Sequence, residues 1–331
     1  MLKNGIIKKI ATLFAEERSI WNIGIVNKPI YEFLNRKPEV EWIDEKDKNT
    51  FLADPFGLEI NGELFILAEK YDYKEKKGYI CLIKDNKEQQ ILKTEFHMSY
   101  PFLIEENGGI YCIPETHQAN ELVLYLAKEF PFKWEKIKVL IKKEVVDASF
   151  IKHHGLWWMF YTLQDDPHGK LYVSYAKTIT GTWEDHKGNP IKEDNSSSRS
   201  AGTLFKYKGK IFRPAQDCSR TYGGAIKINE ITKLTVDEFA EKTVKTIEPY
   251  MNSIYKNGIH TISAVGNITL VDGKRYIYKL RSLKEIIRIF KEKFKQYPKQ
   301  WKKTSGKKRL GVAHGGRGGY FSIEHWILSP F

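Results

Sequence analysis

From residue 51 the chain runs in short stretches of alternating apolar and polar positions that break at glycine. In FLADPFGLEINGELFILAE (51–69) one strand-like run turns at Asn61-Gly62, two residues that tolerate positive φ, into a second. The pattern returns around Gly108 (SYPFLIEENGGIYCIPE), Gly155 (VDASFIKHHGLWWMFYT), Gly209 (SAGTLFKYKGKIFRPAQ) and Gly273 (AVGNITLVDGKRYIYKL), at spacings of 46, 47, 54 and 64 residues. A second repeat supports the first. LAKEFPFKWEK and YAKTITGTWEDH each follow an alternating run and carry Ala-Lys, a loop and Trp-Glu, with Ala127–Trp134 matching Ala176–Trp183. A hairpin, a strand, a turn and a tryptophan strand make about four strands per unit, the content of a propeller blade. Five units fill residues 51 to about 281, so the pattern predicts an all-β, five-bladed β-propeller. A β-sandwich would need five registered anchors to arise by chance.

In a blade the first strand is innermost, so positions equidistant from the anchors should ring the axis. Eight residues before the five glycines stand Asp54, Tyr100, Asp147, Ala201 and Val265; seven after them stand Glu69, Glu115, Thr162, Gln216 and Leu280. A lone Asp at a strand head reads as a turn cap. Acids repeated at equivalent positions of a radial fold predict a polar funnel at the axis. Trp134, Trp157, Trp158 and Trp183 are expected between blades.

Hydrophobic residues at 41% and aromatics at 13% are ample for a core. The three cysteines, Cys81, Cys112 and Cys218, form no metal-binding spacing and leave an odd thiol, which favours a reducing compartment. No apolar run reaches the roughly 18 residues of a membrane span. Lys8, Lys9, Glu16 and Glu17 interrupt the N-terminus before a signal-peptide core forms, so the expected location is cytoplasmic. Of the net charge of +13, a net +9 lies between Lys284 and Arg309, where eleven Lys/Arg meet two Glu. No nucleic-acid module accompanies that basic stretch, and no nucleic-acid partner is expected. In LKEIIRIFKEKFKQ (283–296), Leu283, Ile286, Ile287, Phe290 and Phe294 fall at helical spacing opposite cations. This reads as a helix, near 283–297, that either lies on an anionic membrane surface at its inner face or packs on the propeller. Ile6, Ile7, Ile10, Leu13 and Phe14 predict a similar short N-terminal helix. The expected division is a segment 1–50 packing on the propeller and a propeller 51–331 with a basic helical insertion at about 283–309. His314 and the glycines of GVAHGGRGGYFS lack the strand-then-helix context of a phosphate loop.

WNIGIVNKP from Trp21, FLADPF, SYPFLIEENGGIYCIPE, RPAQDCSRTYGGAIKINEI from Arg213, and GIHTISAVGN from Gly258 resemble the amino-terminal domain of glucosamine inositolphosphorylceramide transferases and their bacterial homologues. Asp54-Pro55-Phe56, with Asp147 two blades later, also resembles the five-bladed glycoside hydrolases of the family 43 clan. That resemblance implies Asp54 as general base and Asp147 as the residue orienting an acid. Where the hydrolases place the acid Glu, this chain has Ser200-Ala201-Gly202, and Ala201 has no proton to give. Hydrolysis would need Glu115, Glu69 or Asp217 as a relocated acid. Transfer from a sugar-nucleotide or lipid-linked phosphate donor needs one base and cations for the phosphate, supplied by Arg199, Arg213 or Arg220. The expected enzyme therefore forms glycosidic bonds in surface-glycan or glycolipid assembly. The alternatives are a furanosidase-type glycosidase with Glu115 as acid, and a non-catalytic glycan-binding propeller. Tyr100, Gln216, Asp217, Tyr222 and His260 complete the candidate carbohydrate-binding set, though Arg213, Gln216 and Asp217 read equally as a buried network. No cofactor is expected to be required. His260 opens the fifth unit, where related propellers hold a structural Ca²⁺ through water; otherwise it is a core histidine.

Overall fold

The protein is described from a computed structural model over residues 14–289 and 291–292. Its strands form five antiparallel sheets in a five-bladed propeller. Blade I comprises Thr50–Ile60, Glu63–Asp72, Lys77–Lys84 and Lys87–Leu92; blade II comprises Ser99–Glu106, Gly109–Glu115, Leu122–Glu129 and Lys133–Ile141. Blade III is built from Val145–His153, Leu156–Leu163, Lys170–Ala176 and Glu184–Asp185, with Lys192–Glu193 also paired to its third strand. Blade IV contains Phe205–Tyr207, Lys210–Asp217, Ala225–Leu234 and Phe239–Ile247. The first strands of blades II and V pack against that of blade I, and the first strand of blade III against that of blade II, as neighbours around an axis do.

Four of the five sequence anchors are the hairpin turns. Asn61-Gly62, Asn107-Gly108, His154-Gly155 and Lys208-Gly209 all have positive φ at both positions, the backbone that matches strand twist in a two-residue turn. The fifth differs. Blade V begins with Ile262–Val265 and Ile268–Leu280, and Val265 pairs with Ile268, so the chain turns at Gly266-Asn267. Gly273 lies inside the second strand, where a Cβ would overlap the Trp42 ring. It is glycine because an aromatic side chain lies against its backbone. Moving the anchor to Asn267 shifts the ring positions from Val265 and Leu280 to Ile259 and Lys274, next to His260 and Asp272. Val265 packs in the core and Leu280 is exposed.

Blade V is completed by Ala15–Val26 and Glu41–Trp42 in the order Glu41–Trp42, Ala15–Val26, Ile268–Leu280, Ile262–Val265. The segment before residue 50, expected from sequence to pack on the propeller as a separate segment, thus supplies two strands of a blade. Its apolar spacing resembles an appended element because its partner strands lie some 250 residues away.

The buried apolar residues divide into five clusters, each between neighbouring blades. Trp157 and Trp183 belong between blades II and III, Trp158 between III and IV, and Trp134 between I and II, as expected. Apolar side chains fill the seams, and polar ones are left for the axis.

The chain separates into this body, Ile20–Arg275, and a second unit, Met1–Ser19 with Tyr276–Phe331. The described part of the second unit holds strand residues 15–19 and 276–280 and a helix over 283–289 and 291–292. The expected N-terminal helix over 6–13, Phe290, Phe294, the basic stretch 293–309 and the His314 glycine run lie outside the described residues.

Candidate active site at the propeller axis

The first strands of blades I, II and III share one irregularity. The pairing slips between Ala53 and Phe56, between Ser99 and Phe102, and between Val146 and Ser149. Asp54, Tyr100 and Asp147 sit at these bulges with φ of 51°, 46° and 46°, a region that side chains beyond glycine seldom occupy. On the second strands Glu69 and Glu115 stand opposite Ala53 and Ser99, beside the bulges. Blades I and II thereby each turn two polar side chains inward.

Asp54, Glu69, Glu115, Asp147, Gln216 and His260 are all buried; Asp147 contacts Glu115 and Gln216, Asp54 lies beside His260, and Glu69 faces His97. Arg199 Nε donates to Asp147 Oδ2 at 2.6 Å, and Gln216 Nε2 donates to the same oxygen at 2.7 Å. The Asp147 amide donates to Glu115 Oε2 at 3.1 Å, while Glu115 Oε1 meets His117 Nδ1 at 2.6 Å. Thr261 Oγ1 donates to Asp54 Oδ1 at 2.7 Å. His260 lies between two acids, with Nδ1 2.6 Å from Asp272 Oδ2 and Nε2 3.5 Å from Asp54 Oδ1. Trp21 stacks on its ring at 3.9 Å. Glu69 faces His97, whose Nε2 is 3.6 Å away and whose Nδ1 accepts the Gly78 amide at 2.9 Å. That amide leaves Nε2 as the protonated nitrogen of neutral His97.

The four carboxyls of blades I to III are not equivalent. Burial raises Asp54 to about 6, opposed by His260 and reinforced by Asp147. Burial likewise raises Asp147 to about 6 against the pull of Arg199. Glu69 is pushed well above the carboxylate range by burial and by the surrounding acids, Asp54 foremost. Glu115 ends below its ordinary value: burial pushes it up, but hydrogen bonding from His117 and the charge of Arg199 outweigh that. His260 is raised, because Asp272 and Asp54 overcome the cost of burying it. His97 falls to about 4 through burial and the nearby His117.

Of the other predicted residues, Tyr222 borders this cluster and the rest stand apart from it. The Tyr100 ring is buried, and its hydroxyl accepts from the Gly202 amide and contacts Ser149 Oγ at 2.8 Å, tying blades II, III and IV together. Arg213 is fully buried away from the funnel: Nη2 and Nε bind Glu241 at 2.6 and 2.9 Å, and Nη2 and Nη1 donate to the carbonyls of Ser197 and Ser198. Asp217 caps the loop after it, accepting from Ser219 Oγ at 2.6 Å and the Ser219 amide at 3.1 Å. Arg220 is exposed on that loop. Tyr222, 40% exposed, carries the Arg199 guanidinium over its ring at 5.1 Å and faces His260 edge-on. Thr162 has its hydroxyl spent on the Pro167 carbonyl.

The pattern of anchors misses Asp272, His97, His117, Trp21, Thr261 and Lys274. Asp272 precedes a glycine and reads as a turn acid. His97 and His117 lie just outside the strands that carry Glu69 and Glu115, with no periodic signal of their own. Lys274 is buried, with Nζ over the Trp21 ring at 5.0 Å and donating to the Tyr222 carbonyl.

Asp54, His260 and Asp272 bring donor atoms within 4.8 Å of one another, which raises the question of an axial cation. Asp272 Oδ1 already accepts the amides of His260 and Thr261, at 2.9 and 3.0 Å, and Oδ2 accepts the Asp54 amide at 3.3 Å. A directly bound Ca²⁺ takes about six to eight oxygens, and this trio retains only Asp54 Oδ2 free of such contacts. The donor set does not fit direct ligation of Ca²⁺ by these side chains, since the His260 ring lies between the two acids.

The amino-terminal family model of glucosamine inositolphosphorylceramide transferase 1 matches residues 40–260. Glucosamine inositolphosphorylceramide transferase 1 of Oryza sativa subsp. indica is 36% identical over 210 residues, covering 59% of this chain and 28% of that protein. Its Arabidopsis thaliana counterpart is 33% identical over 210 residues, 59% of this chain and 27% of that protein. The chain thus spans just over a quarter of these relatives' length. Among solved structures, the family 117 glycoside hydrolase Zg3597 of Zobellia galactanivorans superposes with a TM-score of 0.50 at 13% identity, covering 78% of this chain and 90% of that one. The catalytic domain of a Coprinopsis cinerea GH62 α-L-arabinofuranosidase gives 0.50 at 10% identity, with 70% and 94% covered. At such identities the likeness is one of fold.

Proposed function

The chain belongs to the family of the glucosamine inositolphosphorylceramide transferase amino-terminal domain, and from that premise we propose that it is a carbohydrate-active enzyme that forms a glycosidic bond. One observation carries the reading. The funnel holds a hydrogen-bonded carboxylate, Asp54, and an inward guanidinium, Arg199, while the position that would protonate a sugar leaving group is Ala201.

The chemistry follows from these groups. Asp54, with a pKa near 6, is ionised at neutral pH yet basic enough to accept a proton from an acceptor hydroxyl. Thr261 and the His260 ring fix its orientation. Arg199 spends Nε on Asp147, and its Nη groups are left to meet an anionic leaving group, with Tyr222 beneath the guanidinium. A phosphate leaves already ionised, so no acid is required at Ala201. The relatives' names pair glucosamine with inositolphosphorylceramide, which supports a phosphate-bearing donor or acceptor; a bacterial surface glycan is the setting we assign to it.

A second reading has an observation of its own. Glu69 is held protonated beside Asp54, so hydrolysis could draw its proton there; Glu115, held ionised by His117, is unsuited. Purified protein assayed with phosphate-activated sugars and with aryl glycosides separates the two. Transfer abolished by Asp54→Asn and kept by Glu69→Gln supports bond formation. Release of reducing sugar abolished by Glu69→Gln supports hydrolysis. Sugar binding by calorimetry with no turnover of either substrate would leave a glycan-binding propeller.

A further inference from the structure

The second unit carries a surface that the axial chemistry does not use. Its described residues expose Phe14 by 50%, Tyr278 by 70%, Leu280 by 81%, Leu283 by 72% and Ile287 by 44%. The Arg281 amide donates to the Phe14 carbonyl at 2.8 Å, which brings the two chain segments side by side. Leu283 and Ile287 are four residues apart and share one helix face. Scattered exposed apolar residues need no explanation, but a group of them on so short a stretch does.

The charge around this face narrows its occupant. Over residues 14–19 and 276–292 stand Arg18, Lys279, Arg281, Lys284, Arg288 and Lys291 against Glu16, Glu17, Glu285 and Glu292, a net of +2; Glu16 pairs with Arg18 at 2.8 Å and Glu17 accepts the Tyr278 hydroxyl at 2.8 Å. Glu285 is engaged at the helix start, where it accepts from the Ser282 amide at 2.7 Å and hydroxyl at 2.8 Å. The two segments that flank the described residues offer no complement. Residues 1–13 contain three Lys and no acid, and residues 293–331 contain nine Lys/Arg and one Glu. A second copy would bring like charge to like. Nucleic acid would satisfy the cations but leave the aliphatic side chains in water.

We propose that this face lies on an anionic lipid bilayer, with Leu280, Leu283 and Ile287 entering the interface and the cations at the headgroups. Apolar burial and attraction to anionic lipid act together on such a surface, and salt weakens the second. The proposal does not depend on which sugar chemistry the axis performs.

Vesicle co-sedimentation of the full chain tests it without any sugar substrate. The protein should bind phosphatidylcholine vesicles containing phosphatidylglycerol, ignore pure phosphatidylcholine, and come off as salt shortens the screening length from about 30 Å to about 3 Å. Replacing Lys284 and Arg288 by Gln should lower the partition coefficient roughly 30-fold. Leu283→Ser with Ile287→Ser should release the protein while its melting temperature stays unchanged. Failure to bind anionic vesicles overturns the proposal, as does binding that the serine variant retains. A lowered melting temperature in that variant would mean that protein covers the face. RNA capture without vesicle binding would assign the cations to nucleic acid instead.

Discussion

Asp54, Tyr100 and Asp147 share one strained backbone shape, yet only the two acids bring negative charge to the funnel. Tyr100 uses the same positive φ to place a hydroxyl that ties blades together. The bulge is therefore a device of the blade, and the funnel recruits it by changing the side chain. Ionised Asp54 carries a cost that follows from its burial. Its folded pKa, about 6, lies above the ordinary 3.8, so the folded state holds the proton more tightly than the unfolded one. Stability from this group is present below about pH 4 and is lost as pH rises through 6. At pH 7 the deficit is up to about 3 kcal/mol. Asp54→Asn should consequently raise the melting temperature at pH 7, flatten its fall between pH 4 and 6, and abolish turnover. A variant both inactive and less stable would show that the carboxylate is paired well enough to hold the fold together. For the active enzyme, rate should climb with pH through about 6 as Asp54 ionises; a profile flat across that range would remove Asp54 as the base.

At the scale of elements, what could be read ahead of the structure was the hairpin, because a turn with two positive-φ residues has a compositional signature. Asn61-Gly62 and Asn107-Gly108 carry it in full and place Asp54 and Tyr100 by counting, while Asp147 is counted from His154-Gly155, where only the glycine carries it. Asp272-Gly273 carries the same signature for another reason, since Gly273 makes room for Trp42 within a strand. Local sequence does not distinguish a glycine that bends from one that yields to a distant ring. Substitution does. Gly62 would meet nothing within 4 Å on gaining a Cβ, so Gly62→Ala should cost about 1 kcal/mol of backbone strain. Gly273→Ala should cost roughly 1–3 kcal/mol through overpacking against Trp42 and the Tyr255 Cβ, and Trp42→Leu should relieve the Trp42 part of it in the double variant. Denaturant midpoints measure both, and equal costs unaffected by Trp42→Leu would refute the packing role. The histidines beside Glu69 and Glu115 were not legible for a related reason. Their registers are set by loops, where no period constrains position.

The body, Ile20–Arg275, is a ring of blades, and it is closed by the one blade that local sequence could not assemble. Blade V takes its inner strands from the end of the body and its outer strands from the start of the chain. The same blade brings His260, Asp272 and Lys274 to the axis, and its strand from the N-terminal segment brings Trp21 against His260. Closure and site assembly are thus one event, which ties the stability of the body to the geometry of Asp54. Ile23, in that N-terminal strand, is fully buried in the cluster between blades V and I. Ile23→Ala should cost about 2–5 kcal/mol, and the loss should appear as one transition. Tryptophan fluorescence, which includes Trp21 at the site, and far-ultraviolet circular dichroism should shift their midpoints together. Separate transitions, with fluorescence changing first while most strand signal persists, would mean that four blades stand without the fifth. The site would then be completed by docking the N-terminal strand onto an already folded body.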